Sequence, residues 1–303
     1  METLFEILAM RRPHGGRNEV LVAEKILSRL PGVLEVFTDK HSKPMAYVYT
    51  TDVTSKSIFV SHLDTVHKDE LTPNPVVYDA NKKLAYKTDG TPLGADDGAG
   101  VWLLFEMAAA GVKGTFLWTV GEERGGVGAK WLADSAAAWL SGFDRAIAFD
   151  RKGASSVITH QAWVRCCSDE FAAALALGLS TTMPHEFAPD SGGIYTDTAE
   201  FTELIPECTN ISVGYDMEHT AMETLDVAYL KNLLAGCLLV DWESLPTKRD
   251  PTKVESTWGR YGFESMPNID LDAVMAMDDE GVYDWVYSNP EEAAELIISM
   301  KGV

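Results

Sequence analysis

Four short apolar runs in this 303-residue chain each lead into side chains that bind metal ions well. Ser57-Ile58-Phe59-Val60 runs into Ser61-His62-Leu63-Asp64, and residues 115–120 run into Gly121-Glu122-Glu123. Ala146-Ile147-Ala148-Phe149 runs into Asp150, and Asn210-Ile211-Ser212-Val213 leads through a short loop to Glu218-His219. Asp96, in Gly94-Ala95-Asp96-Asp97-Gly98, stands just before an apolar helical stretch. A lone His-x-Asp or Glu-Glu pair is most simply a solvated loop. The repeated placement after β-like runs is what carries information. Strand ends of one polarity share an edge of a parallel sheet, where ligands of open α/β sheets bind.

The convergent side chains are imidazoles and carboxylates, donors that suit zinc and also manganese or cobalt. With no cysteine near the motifs, a Cys-rich structural zinc site is excluded. A carboxylate such as that of Asp96 can bridge two ions about 3.5 to 4 Å apart. Two divalent ions against Asp96, Glu123, Asp150 and a hydroxide would be near neutral, as a partly buried cluster requires. Glu122 and Glu123 are adjacent, so in an extended segment they point opposite ways. We assign Glu123 as ligand and Glu122 as the general base that takes a proton from water and delivers it to a leaving group. Asp64 falls on the same side of its strand as His62 and can accept the spare ring N–H, fixing the tautomer.

Positioning these groups requires strands alternating with helices, hence an α/β fold with a mainly parallel sheet. An amphipathic helix is expected to end near Arg11-Arg12-Pro13, with a helical region following over residues 21–30. Residues 45–50 and 56–60 read as paired strands around the polar turn 51–55, and residues 76–87 as a short hairpin. Helices are expected over residues 98–107 with Gly111 ending the first, then over 130–140, 169–177 and 226–242. A linker at residues 245–251 separates a catalytic domain, residues 1–248, from an acidic appendage, residues 249–303. Helices are expected there over 269–277 and 291–300, in a piece too short for a core of its own.

Composition sets the outer bounds. Apolar residues make up 46% of the chain, a globular share. The formal charge is -21, from 46 acidic and 25 basic residues, which excludes nucleic acid and anionic membrane surfaces as partners. No apolar run approaches the roughly 18 to 20 residues of a membrane span. The N-terminus lacks a basic start and an apolar stretch, so no signal peptide is expected. Cys166, Cys167, Cys208 and Cys237 include no Cys-x-x-Cys pair and read as reduced thiols of a cytoplasmic protein.

The motifs His62-Leu63-Asp64-Thr65-Val66, Gly94-Ala95-Asp96-Asp97, Gly121-Glu122-Glu123, Asp150 and Asn210-Ile211-Ser212-Val213-Gly214-Tyr215 followed by Glu218-His219-Thr220 resemble those of the co-catalytic zinc exopeptidases. That superfamily includes peptidase T, carboxypeptidase G and the single-domain zinc aminopeptidases. The resemblance covers about residues 1 to 245. It implies a three-layer α/β sandwich in a single catalytic domain, and two zinc ions. His62, Asp96 and Asp150 would hold one zinc, and Asp96, Glu123 and His219 the other, with Glu122 as base and Asp64 as support. It also implies a cis peptide bond between Asp96 and Asp97. The chain departs from peptidase T and carboxypeptidase G in the short interval between Asp150 and His219, which leaves no room for their inserted lid domain.

Secondary candidates surround this set. Relatives carry a Gly-Gly and Thr/Ser-Asp segment like residues 190–197 beside the metals. Tyr195 and Asp197 are therefore candidate substrate contacts, with a helix cap as the plainer reading of Asp197. Arg151 and Lys152 follow Asp150 and either bind a substrate carboxylate or neutralise the acidic edge, the latter favoured. His160 reads as a satisfied histidine, and His14, His41, His67 and His185 as surface or loop residues.

The resulting expectation is a cytoplasmic di-zinc metallohydrolase cutting a terminal amide bond of a small peptide or acylated amino acid. An aminopeptidase is favoured, because the lid is absent and a free amine suits the acidic edge. The enzymatic alternative is an N-acyl amino acid deacylase or carboxypeptidase, using Arg124, Arg151 or Lys152 for a carboxylate. A catalytically silent binding protein using the acidic tail is the alternative of another class, and the intact Glu122 and five ligands weigh against it. Many relatives assemble, so a homo-oligomer is compatible with the resemblance.

Overall fold

A computed structural model describes residues 1–162, 164–183 and 186–253. The described residues all fall within the first of two units, Met1–Ser256. The expected appendage helices over 269–277 and 291–300, and His185, lie outside the described residues.

In chain order the first unit comprises α1 (Glu2–Leu8), α2 (Arg17–Lys25), β1 (Glu35–Thr38), β2 (Pro44–Thr50), β3 (Ser57–His62), β4 (Val77–Asp79), β5 (Leu84–Tyr86), α3 (Ala95–Ala109) and β6 (Thr115–Thr119). There follow α4 (Val127–Ser135), α5 (Ala137–Leu140), β7 (Arg145–Arg151), β8 (Ser156–Ile158), β9 (His160–Gln161), β10 (Val164–Arg165) and α6 (Asp169–Ser180). The last elements are β11 (Ala188–Asp190), β12 (Glu207–Ser212), β13 (Tyr215–Asp216), β14 (Thr224–Asp226) and α7 (Val227–Cys237).

Eight strands form one sheet in the order β1-β2-β6-β3-β7-β12-β8-β11. Its centre, β6-β3-β7-β12, is parallel throughout. Alternate residues of these strands feed two cores. Phe59, Phe116, Trp118, Ile147 and Phe149 pack with α1, α3, α6 and α7 on one face. Ile58, Val60, Leu117, Ala146 and Ala148 pack with α4 and α5 on the other. This is the expected three-layer α/β sandwich, and its four parallel strands are those whose ends carry the candidate ligands. Helix α3 lies close on β7: a Cβ at Gly100 would stand 2.2 Å from the Phe149 carbonyl oxygen, so only glycine fits there.

One expected pairing is overturned. Strands β2 and β3 do not form a hairpin, because β6 lies between them, antiparallel to β2 and parallel to β3. The physical reason is burial. All six residues of β3 are buried, so the strand needs a hydrogen-bonding neighbour on each edge and helices on both faces. The connecting turn crosses the start of β6, where Thr51 Oγ1 donates to the Val112 carbonyl at 2.6 Å. The hairpin within residues 76–87 does form, as β4 and β5, but in a separate four-stranded sheet with β13 and β14. The helix expected over 130–140 is broken at Ala136, whose backbone (φ −127°, ψ 25°) separates α4 from α5.

Candidate metal centre

The ends of the parallel strands bring the five expected ligands to one place. His62 is the last residue of β3, and Asp150 the penultimate residue of β7. Glu123 lies in a 3₁₀ turn, Glu122–Arg124, after β6. Asp96 lies at the start of α3, where the Asp96–Asp97 peptide bond is cis, and His219 lies in the loop between β13 and β14.

Asp96 is the hub. Its Oδ1 stands 3.1 Å from His62 Nε2, and its Oδ2 stands 3.0 Å from His219 Nε2. His62 Nε2 is also 3.4 Å from Asp150 Oδ1, and His219 Nε2 is 3.0 Å from Glu123 Oε1. His62, Asp96 and Asp150 each offer one donor atom within 4.8 Å of the others, and so do Asp96, Glu123 and His219. The His62 side chain is 1% exposed and that of His219 is 48% exposed, so the centre is walled on the sheet side and open beside His219.

Glu122 and Glu123 diverge as expected, but through the 3₁₀ turn rather than an extended segment. Gly121 permits this turn with a left-handed backbone (φ 72°), and a Cβ there would meet His14 and Val127 within 2.9 Å. Glu122 Oε2 ends 3.9 Å from His62 Nε2, beyond hydrogen-bond reach. Asp64 is completely buried and anchors the turn, accepting Glu122 N–H at 3.0 Å and Glu123 N–H at 3.1 Å. Its carboxylate is therefore largely committed to backbone. His62 Nδ1 lies 3.1 Å from the Asp64 carbonyl oxygen and 3.5 Å from its carboxylate, so the carbonyl is the better partner of the spare ring nitrogen.

Charge in the cluster is lopsided. Burial opposes a proton on His62, but Asp150, Asp64 and Asp96 outweigh it and hold the imidazolium well above the ordinary histidine range. His219 is raised to about 11 by Asp96 and Glu123. Burial would raise Asp96, yet the two imidazoles win and hold it below the carboxylate range. Burial, with Asp150, Asp197 and Asp96 nearby, pushes Glu122 up to about 10. Burial likewise raises Glu123 and Asp150. Glu123 Oε1, though 3.0 Å from His219, has no hydrogen bond of sound geometry. Four carboxyls crowded on two imidazoles, with an orphaned buried oxygen, are a donor set that fits divalent cations.

Several residues that support the cluster carried no sequence signal of that role. Asp97, completely buried, accepts Ser61 Oγ–H at 2.5 Å, His62 N–H at 3.2 Å and Gly100 N–H at 2.9 Å. Glu223 reaches from beyond the His219 loop to accept the N–H groups of Gly94, Ala95 and Asp96 at 3.0, 2.7 and 3.0 Å. It thereby pins the loop of one imidazole to the backbone of the shared carboxylate. Thr196 and Tyr215 donate to the Asp150 carboxylate at 2.7 and 3.0 Å. Only contacts between segments distant in the chain reveal these roles.

The secondary candidates divide: Asp197 and Tyr195 lie within the field of Glu122, and the cations are tied elsewhere. Asp197 does not act as a cap: it is 2% exposed, its Oδ2 takes the Thr119 hydroxyl, and its Oδ1 has no partner. Tyr195 donates to Glu200 at 2.8 Å, and Arg151 donates to the Gly192 carbonyl at 3.0 Å. Lys152 pairs with Glu218 at 2.7 Å and Arg124 is exposed. His160 is buried with Nδ1 2.9 Å from Thr159 Oγ1. Two of the histidines read as surface or loop residues lie in loops but are largely buried. His67 is 4% exposed between Thr65 and the Pro92 carbonyl. The His14 side chain, 13% exposed, packs on the Gly121 turn and hydrogen-bonds Glu19 at 3.0 Å.

The same fold occurs in known aminopeptidases. Aminopeptidase PepT from Bacillus cereus superposes over 78% of this chain and 96% of its own, with a TM-score of 0.62 at 15% identity. A TET aminopeptidase from a marine sediment thaumarchaeote matches over 81% and 97%, with a TM-score of 0.60 at 12% identity. The TET1 peptidase of Pyrococcus horikoshii, which assembles into a tetrahedron or a large octahedral shell, matches over 79% and 99%, with a TM-score of 0.56 at 15% identity. No family model matches the sequence. No curated protein matches it by sequence either. At such identities the shared property is the fold: the chain has the α/β architecture of these aminopeptidases. Among the described residues, no helix is long and apolar enough to cross a membrane.

Proposed function

We propose that this protein is a metal-dependent aminopeptidase with two divalent cations, zinc the favoured metal. The observation that carries the reading is the position of Asp96, with one carboxylate oxygen 3.1 Å from His62 and the other 3.0 Å from His219. His62, Asp96 and Asp150 would hold one ion, and Asp96, Glu123 and His219 the other. Such ions, when bound, supply Lewis acidity that polarises a carbonyl oxygen and acidifies water.

The chain's own residues do the rest. Glu122 stands beside the ligand cluster, its Oε2 3.9 Å from His62 Nε2, where it can take the proton of the attacking water. As the carbon–nitrogen bond breaks, Glu122 gives that proton to the departing amine, so the carboxylate is regenerated. Asp64 holds the backbone of Glu122 and Glu123, and so keeps base and ligand in register. The 48% exposure of the His219 side chain leaves one side open to substrate.

A free α-amine is the better match for the site than a carboxylate. The walls are rich in carboxyls, while Arg151 is tied to Gly192 and Lys152 to Glu218. The deacylase or carboxypeptidase reading would require one of these cations to leave its partner, or the exposed Arg124 to turn inward. Assay of a free-amine dipeptide beside its N-acetylated counterpart decides between them: the aminopeptidase reading expects turnover of the first and little of the second.

A further inference from the structure

Arg12 is a completely buried arginine, and its guanidinium ties three segments together. Nε donates to the Leu63 carbonyl at 2.7 Å and Nη2 to the Gly94 carbonyl at 3.1 Å. Nη1 donates to the carbonyls of Ile7 at 2.8 Å and Met10 at 3.2 Å, at the end of α1. The Arg12 backbone is itself fixed on Thr65, donating to its hydroxyl at 3.1 Å and accepting its N–H at 2.8 Å. Leu63 sits between His62 and Asp64, and Gly94 lies two residues before Asp96. One planar cation therefore spans the two stretches whose side chains meet where His62 Nε2 approaches Asp96 Oδ1.

We propose that Arg12 is a positioning residue for the metal centre: its rigid fork fixes the stretch carrying His62 against the stretch carrying Asp96, and so sets the affinity for divalent cations. The proposal rests on the metal-centre reading above. Its sign separates it from plain electrostatics. Arg12 lies within the field of Asp97, Asp64, Glu223 and Asp96, so a cation there competes with incoming metal ions. Were charge the only effect, Arg12→Gln would tighten metal binding. A clamp predicts the opposite. Lysine keeps the charge but offers a compact point charge in place of a planar fork, so Arg12→Lys isolates the geometry.

The experiment is a cobalt(II) titration of the metal-free full-length protein, read by calorimetry and by the visible d–d band. Arg12→Lys and Arg12→Gln are expected to bind cobalt about 10- to 100-fold more weakly, the range typical of residues that orient ligands, with an altered band. Arg145→Lys is the control. That arginine is as buried, at 3% exposure, and bonds the carbonyls of Trp242 and Leu245. It begins β7 at the far end from Asp150, and its replacement should leave cobalt affinity within about twofold.

Wild-type affinity in Arg12→Lys, tighter binding in Arg12→Gln, or an equal loss in Arg145→Lys would each overturn the proposal. If neither Arg12 variant folds, Gly98→Ala takes their place. Its new methyl would stand 3.2 Å from Arg12 Nη2, 3.0 Å from Leu8 Cδ2 and 3.3 Å from Ile7 Cγ2, crowding the fork and its apolar neighbours so that a few tenths of an ångström must give while the fork is kept. Unchanged cobalt binding there overturns the clamp. Failure of the wild-type protein to take up cobalt is a different result, and removes the metal-centre reading itself.

Discussion

Glu122 Oε2 stands 3.9 Å from His62 Nε2, close enough to share the site and too far to be held by the imidazole. In the metal-free chain this carboxyl keeps its proton, and the charge of two bound cations would ionise it and leave it free to act as a base. Glu122→Gln is therefore expected to lower kcat by about 10² to 10⁴, the usual contribution of a general base. Metal content, measured by mass spectrometry of the digested protein, should stay at the wild-type value. Turnover that survives the substitution rejects Glu122 as the base.

Removal of one imidazole should empty one position and spare the other. His219→Ala leaves Asp96 and Glu123 as the donors on its side, while His62, Asp96 and Asp150 remain complete. Tight zinc is expected to fall from two equivalents to one. Anomalous diffraction at the zinc edge reads this directly, and two retained peaks would argue against His219 as a ligand.

The metal-free protein should lose stability as pH rises. Burial raises Glu122 to about 10, and Asp197 and Glu223 to about 7, while Asp96 and Glu123 raise His219 to about 11. Each group keeps its proton in the folded chain at pH values where the unfolded chain has released it. Stability from these groups is thus complete below about pH 4 and declines above it. After chelation, Tm should be lower at pH 8 than at pH 5.5, and zinc should remove most of the difference. A metal-free Tm that climbs over this interval contradicts the charge distribution described for the cluster.

The boundary of the first unit is open to truncation. Glu207 Oε1 accepts the N–H groups of Lys248 at 2.6 Å and Arg249 at 3.1 Å, and Arg249 Nη2 donates to the Ile205 carbonyl at 2.8 Å. A chain ended after residue 253 is expected to keep its fold and zinc content. Ending at residue 248 strips the buried carbonyls of their partner, at about 1 to 3 kcal/mol for a group left unsatisfied. Thermal melts of the two truncations should differ by several degrees, and identical melts would show that Arg249 contributes nothing.

The first unit was legible in this sequence to an unusual depth, for a local reason. His62, Asp150 and the Glu122-Glu123 pair each follow an apolar run, and a buried parallel strand must be such a run. Type and parallel polarity of those strands therefore follow from the chain itself, and with them the edge on which the candidate ligands gather. The motifs added Asp96, whose segment shows no strand of its own, while His219 follows the run 210–213 through a short loop.

Tertiary structure decided what local pattern cannot encode. The insertion of β6 between β2 and β3 depends on which strand wins a shared edge, a competition among distant segments. The same holds for Glu223 on the Asp96 backbone, Asp97 on Ser61 and Arg12 on Leu63 and Gly94, because a lone acidic or basic side chain reads as solvated until the fold excludes water around it. Hydrophobic periodicity is written residue by residue and survives in the sequence. Hydrogen bonds between segments tens of residues apart exist only once the chain has closed on itself.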